Sequence, residues 1–414
     1  MELKMKNIGA LYEETRIRFD GITVLAGENA CGKSTIGKAL FCMFNSLSNL
    51  DERIYNERLK SVAKSIRDFL KTDIVRNRHL FMPLSESIVS KFYENNNVDE
   101  ALELLKNDSL IIHDKDGYED LIIRIREGLG IPDKIISDRI VKERLLAEFG
   151  NSLPNVNYYD EESVIEINIK DHFARCRIIN GTVSVEKDVE IAKDATYIGN
   201  SLAIDHMAEG TSYGVFHTHE SDLYAKLTFI KDKDSSIVND VLLDSKLEDI
   251  INQMESAGVG DIVWEKEKGW VYIQDNLKGT LGIENISSGL KGFIQIKQLI
   301  KNGWLEEKGV LILDEPEIHL HPEWQKIFAE IIVKLQSEFN LTVLLSTHSV
   351  DFLSFVEYYV KIYKKQDLSH YYLLTKNSDG VTSVAEETTG DLNKIYEKLS
   401  MPYLRVVEEL NSEE

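Results

Sequence analysis

Gly27-Glu28-Asn29-Ala30-Cys31-Gly32-Lys33-Ser34-Thr35 follows the apolar run Ile22-Thr-Val-Leu-Ala26 and precedes Ile36, Leu40, Phe44 and Leu47 at helical spacing. The stretch fits G-x-x-x-x-G-K-[ST], and its flanks supply the strand and helix that a phosphate-binding loop needs. Gly27 and Gly32 let backbone N–H groups wrap phosphates, and the helix N-terminus behind them favours negative charge. Lys33 is placed to reach the outer phosphates and Ser34 to put its hydroxyl on Mg²⁺. A chance glycine-rich turn is the competing reading, and the matching context weighs against it. The sequence reads as that of a nucleoside triphosphate binder, with residues 27–35 as its contact set.

The chain has 414 residues, enough for one large core or for a catalytic domain with sizeable insertions. Its 43% hydrophobic and 29% charged content is that of a globular protein. No apolar run approaches a membrane span, and the N-terminus lacks a signal-peptide core. Cys31, Cys42 and Cys176 show no paired or metal-like spacing, so a reducing cytoplasm is the expected setting. A net charge of −22 repels nucleic acid in bulk, so any DNA contact needs a local basic patch.

Residues 1–48 read as the first part of the catalytic head, with Met5–Ala10 and Thr15–Phe19 as a β pair ahead of the loop strand. Residues 49–155 read as a helical insertion, with Leu59, Val62, Ile66, Phe69 and Leu70 at three- and four-residue spacing. Between Arg53 and Arg78, Lys and Arg outnumber Asp and Glu. A solvated helix face and an acidic-partner surface both fit that bias. Residues 156–200 read as an antiparallel β subdomain, with an Asn180-Gly181 hairpin between alternating runs and Ala195–Gly199 as a further buried strand. Residues 201–260 read as a second helical insertion, 261–400 as the rest of the head, and 401–414 as an acidic, frayed tail. The fold class is α/β: a mostly parallel sheet, an antiparallel β subdomain and helical insertions.

Val310-Leu-Ile-Leu-Asp314-Glu315-Pro316 is an apolar run ending in two carboxylates, as at the mouth of a buried parallel strand. Asp314 is placed to hold Mg²⁺, and Glu315 to act as general base on the attacking water. Upstream, Ser287-Ser288-Gly289-Leu290-Lys291 opens a helical pattern and forms a second anion site. An ordinary helix cap serves as well for that piece alone. Leu341–Ser346 is another apolar strand, leading to Thr347 and His348. His206, His217, His219 and Glu220 offer a thin metal-binding or nuclease pattern, for which helix-capping or exposed histidines are the alternative.

In order and spacing these pieces resemble the ABC ATPase superfamily, and Asp314-Glu-Pro-Glu-Ile-His319-Leu-His321-Pro322 resembles its SMC/RecF/OLD-like branch. The resemblance covers about a quarter of the chain, Gly21 to Leu47 and Ser287 to His348. It implies a P-loop NTPase head, with Ser287, Ser288, Gly289 and Lys291 as the signature, Asp314 and Glu315 at Walker B, and His348 as the switch. It further implies ATP and Mg²⁺ as cofactors and a homodimer, or a higher oligomer, with two ATP molecules sandwiched between signature and loop. In that scheme Glu315 and His348 are catalytic, Ser34 and Asp314 hold the metal, and His319 and His321 serve the dimer interface. The loop glutamine of the family is not identifiable; Asn200 is a weak stand-in.

Compact members of this branch resemble ATPases of bacterial phage-defence modules such as OLD, Septu, PARIS and the Abi-type systems. The resemblance therefore implies a nucleotide-gated switch that controls a nuclease or toxin effector in trans, since about 65 residues after His348 are too few for a Toprim nuclease. A RecF/SMC-like DNA-repair ATPase and a self-contained metal-dependent nuclease are the two alternatives.

Overall fold

A computed structural model describes all residues except 71–77, 109–110, 112–116, 151, 200–203, 206, 208–217, 232–236 and 413–414. The expectations on Asn200, His206 and His217 lie outside the described residues. The chain divides into two compact units: Met1–Ser48 with Lys142–Glu414, and Asn49–Val141.

In the first unit the strands are β1 (Glu2–Lys6), β2 (Thr15–Arg18), β3 (Ile22–Gly27), β4 (Ser163–Ile169), β5 (His172–Ile179), β6 (Thr182–Lys187) and β7 (Ala195–Ile198). They continue as β8 (Asp261–Glu265), β9 (Gly269–Ile273), β10 (Leu281–Gly282), β11 (Val310–Asp314), β12 (Thr342–Thr347), β13 (Ser369–Lys376) and β14 (Ser383–Glu387). Six of them form one sheet in the order β14-β13-β3-β12-β11-β7, and only β14 runs antiparallel. A parallel strand covered on both faces must be apolar on both, which is why β3 is buried at every position. Val24, Ala26, Leu311, Leu313, Val343 and Leu345 enter one core with residues of helices Ser288–Lys301, Pro322–Phe339 and Val350–Ile362. Ile312, of opposite parity, lies against Gly37 of helix Lys33–Leu47. Because β3, β7, β11 and β12 are parallel, their carboxyl ends come out together, where ligands sit in open α/β sheets.

The second sheet, order β2-β1-β4-β5-β6, is antiparallel throughout. Its β5–β6 hairpin turns on Asn180 (φ 49°) and Gly181 (φ 71°), the paired left-handed residues of a type I′ turn. The third sheet is the small β10-β9-β8 ribbon. The chain runs from it through a 3₁₀ turn, Ile283–Asn285, to helix Ser288–Lys301.

Three expectations change. The first strand lies at Glu2–Lys6 rather than Met5–Ala10, because its register on β2 and β4 begins at Glu2 and Ile8 and Leu11 close a tight bridge after it. Ala195–Ile198 joins the parallel sheet beside β11 instead of the antiparallel subdomain, since a strand buried at all four positions needs cover on both faces. The stretch expected as a frayed tail is helical as far as Ser412: helix Asn393–Ser412 continues through Pro402.

In the second unit the described helices include Leu50–Leu70, Arg78–Asn95, Val98–Asn107 and Tyr118–Gly130, and helix Asp133–Phe149 begins there. Val62, Ile66, Ile88, Val89, Leu105, Leu121 and Ile125 form a core of its own.

Candidate nucleotide site

The loop between β3 and helix Lys33–Leu47 turns through two left-handed residues, Ala30 (φ 59°) and Gly32 (φ 98°). Such turns aim successive backbone amides into one concavity, the geometry that receives a phosphate. Gly27 is required by packing, since a Cβ there would stand 2.3 Å from Leu374 O on the neighbouring strand. Lys33 is 4% exposed, and its Nζ lies 2.9 Å from both Gly27 O and Glu28 O and 3.6 Å from Glu315 Oε1. The ammonium thus bridges the loop to the Walker B strand. Ser34 is exposed, Thr35 is covered by Gly9, and Asn29 is open to solvent. The Cys31 thiol donates to Glu28 O at 2.8 Å, and burial pushes its pKa up, so it packs as a neutral thiol. The Glu28 carboxylate faces Lys398 at 2.9 Å, whose hydrogen bond and charge hold it below the usual range.

β11 ends at Asp314, and both carboxylate oxygens accept hydrogen bonds. The Tyr197 hydroxyl donates to Oδ2 at 2.8 Å and the Ser346 hydroxyl to Oδ1. Glu315 follows in the left-handed region (φ 51°), and its N–H donates to Ser346 O at 3.1 Å. This turn sets Glu315 Oε1 3.4 Å from His348 Nδ1, with the ring 44% exposed. Glu317 is 4% exposed; it accepts from Thr347 Oγ1 at 2.6 Å and from His348 N at 3.3 Å, while its other oxygen has no protein partner. Burial pushes its pKa up, against the pull of the Thr347 hydroxyl, backbone N–H groups and His348.

The donor set fits the cofactors expected. Asp314 and Ser34 present a carboxylate and a hydroxyl oxygen, the hard donors that Mg²⁺ takes, and the left-handed loop fits a phosphate.

Ser287 caps helix Ser288–Lys301 without a side-chain capping bond, which leaves its hydroxyl available to an anion, and Ser288 opens the first turn. Gly289 abuts the loop after Walker B, where a Cβ would come within 2.8 Å of His319 O. Lys291 departs from expectation. Its ammonium is 3% exposed and pairs with Asp205 at 2.6 Å, so in this structure it ties helix Ser288–Lys301 to that carboxylate. His321 caps helix Pro322–Phe339, accepting from Glu323 N at 3.3 Å.

Of the histidines in the metal-binding or nuclease pattern, His219 is described. Its Nδ1 is 2.5 Å from Glu148, and its ring centroid is 4.3 Å from that of Tyr197, while Glu220 is exposed. Among the described residues, no group of three or more His, Cys, Asp or Glu could hold a metal ion. In the basic stretch of the second unit, Arg58 is buried and bonded to Leu129 O, Ile131 O and Asp133, so part of that charge is structural.

Sequence reading missed Tyr197, Ser346, Glu317 and Glu148. Tyr197 and Ser346 had one visible signal, a polar atom near the end of an apolar strand. Glu148 had none.

Residues 204–354 match the family model described as AAA domain, putative AbiEii toxin, Type IV TA system. That span holds Ser287–Lys291, Asp314, Glu315 and His348 and begins after the phosphate loop. Among solved structures, the SmcHead bound to the C-winged helix domain of ScpA is 14% identical at TM-score 0.44, over 93% of this chain and 97% of that one. The SMC head domain from Thermotoga maritima is 10% identical at TM-score 0.41, over 93% and 97%. The Smc head domain with an extended coiled coil bound to the C-terminal domain of ScpA, from Pyrococcus furiosus, is 13% identical at TM-score 0.40, over 99% and 98%. Those scores are too low to carry argument; the family match covers residues 204–354, and the phosphate loop and strand order are those of a P-loop NTPase fold. No helix among the described residues is long and apolar enough to cross a membrane.

Proposed function

We propose that this protein binds and hydrolyses ATP and works as a nucleotide-gated dimeric switch, the ATPase and sensor subunit of a bacterial anti-phage, toxin–antitoxin-like module that controls an effector protein in trans. The observation that supports hydrolysis is the meeting of Lys33, Glu315 and His348: Glu315 Oε1 lies 3.6 Å from Lys33 Nζ and 3.4 Å from His348 Nδ1. Asp314 and Ser34 would hold Mg²⁺, which would supply charge neutralisation on the transferring phosphoryl group. Lys33 leaves the loop carbonyls for the outer phosphates, Glu315 accepts the proton of the attacking water, and His348 donates towards the γ-phosphate. Ser287, with its uncommitted hydroxyl, and Gly289 complete the site of a second copy. Nucleotide then shifts the equilibrium between open and closed pairs by the contacts it makes only in the closed one. The defence role rests on the toxin–antitoxin description of the matched family and on the resemblance of the motifs.

The test is to purify Glu315→Gln from its native host with ATP and Mg²⁺ and record its mass by light scattering and its 260/280 ratio. A nucleotide-dependent dimer that carries a second protein supports the proposal. A dimer that retains DNA or RNA shifts it to a repair ATPase, and a monomer indifferent to ATP removes the switch.

A further inference from the structure

We propose that Tyr197 is a positioning residue for Asp314: its hydroxyl holds one carboxylate oxygen while Ser346 holds the other, setting the rotation at which Asp314 meets its cation. The proposal rests on the reading of Asp314 as a metal ligand.

Tyr197 is 1% exposed, so its hydroxyl must find an acceptor, and that acceptor is Asp314 Oδ2 at 2.8 Å. The surroundings are shaped to the ring. A Cβ on Gly37 would come within 3.1 Å of it and one on Gly199 within 2.6 Å. Phe41 meets it edge-on at 6.1 Å, and His219 tilts over it at 4.3 Å. His219 is itself fixed, through Nδ1 and its backbone N–H, by Glu148, which is 1% exposed and also pairs with Lys38 at 3.4 Å. Packing alone would be met by phenylalanine. The oxygen has one role, which is to point at the carboxylate, as outer-shell partners do for metal ligands.

Mn²⁺ is the probe, its affinity read by EPR with a non-hydrolysable ATP analogue bound, beside nucleotide affinity in EDTA. Tyr197→Phe is expected to leave metal-free nucleotide affinity unchanged and to weaken Mn²⁺ about tenfold, the low end for outer-shell partners. An unchanged Mn²⁺ affinity in Tyr197→Phe, with Asp314→Asn abolishing it, overturns the positioning role while sparing the reading of Asp314. Unchanged affinity in Asp314→Asn overturns both. Should Tyr197→Phe fail to fold, 3-fluorotyrosine at this position keeps the packing and alters donor strength. A shifted Mn²⁺ affinity then supports the proposal, and an unshifted one overturns it.

Discussion

At the scale of the residue, Glu315 carries an unusual backbone. A left-handed conformation costs an L-residue roughly 1–2 kcal/mol, because Cβ crowds the carbonyl that follows. Here it is held by two bonds from the Glu315 N–H to Ser346, and the turn is what brings the carboxylate to His348. Glycine escapes this cost, so Glu315→Gly should be more stable than Glu315→Ala by about 1 kcal/mol in urea unfolding, with hydrolysis lost in both. The reverse order would mean that the turn is not strained. Glu148 supplies a pH test. Burial pushes its pKa up, but hydrogen bonds and charge from His219, aided by Lys38, outweigh it and hold the carboxyl below the usual carboxylate range. A lowered carboxylate pKa adds stability that is present above the unfolded pKa and lost as pH falls through the folded one. Glu148→Gln should therefore cost about 3–5 kcal/mol at pH 7, as for breaking a buried pair. The gap to the native chain should close as unfolding is measured at pH 4 and below. A gap independent of pH would sink this account.

At the scale of the element, helix Lys33–Leu47 shows packing overruling propensity. Alanine normally exceeds glycine inside a helix by about 1 kcal/mol. At Gly37 the added methyl would stand 3.1 Å from the Tyr197 ring and 3.2 Å from Ile312, both in the core. Tyr197 is held by Asp314 and His219 and has little room to yield. Gly37→Ala should lower the melting temperature despite the better helix former, with near-ultraviolet circular dichroism reporting a moved tyrosine. The β5–β6 hairpin gives the opposite case, where local chemistry decides. A Cβ on Gly181 meets nothing within 4 Å, so Gly181→Ala should cost about 1 kcal/mol through φ alone, read by urea unfolding.

At the scale of the whole molecule, the second unit has its own core, and the first closes on itself where the chain leaves and returns. Arg144 Nη2 lies 3.2 Å from Asn45 O, and the Arg144 guanidinium sits 5.4 Å from the Phe41 ring centroid. Residues 49–141 expressed alone should be helical and unfold cooperatively by circular dichroism. A non-cooperative melt would show that their core depends on the rest of the chain. Joining Ser48 to Lys142 through a short Gly-Ser linker should preserve ATP binding by calorimetry.

Local patterns reach as far as bonds between near neighbours. Residues 27–35, the Asn180-Gly181 turn, β11 and the strand leading to His348 were all legible, because glycine conformations and apolar runs act within a few residues of themselves. So was the α/β class, since strands apolar at every position require cover on both faces. Tertiary structure alone decided what depends on contacts far apart in sequence. It placed Ala195–Ile198 beside β11, gave the Asp314 oxygens to Tyr197 and Ser346, and paired Lys291 with Asp205. A lone tyrosine or lysine has many possible partners, and its burial and register choose among them only after the chain has folded.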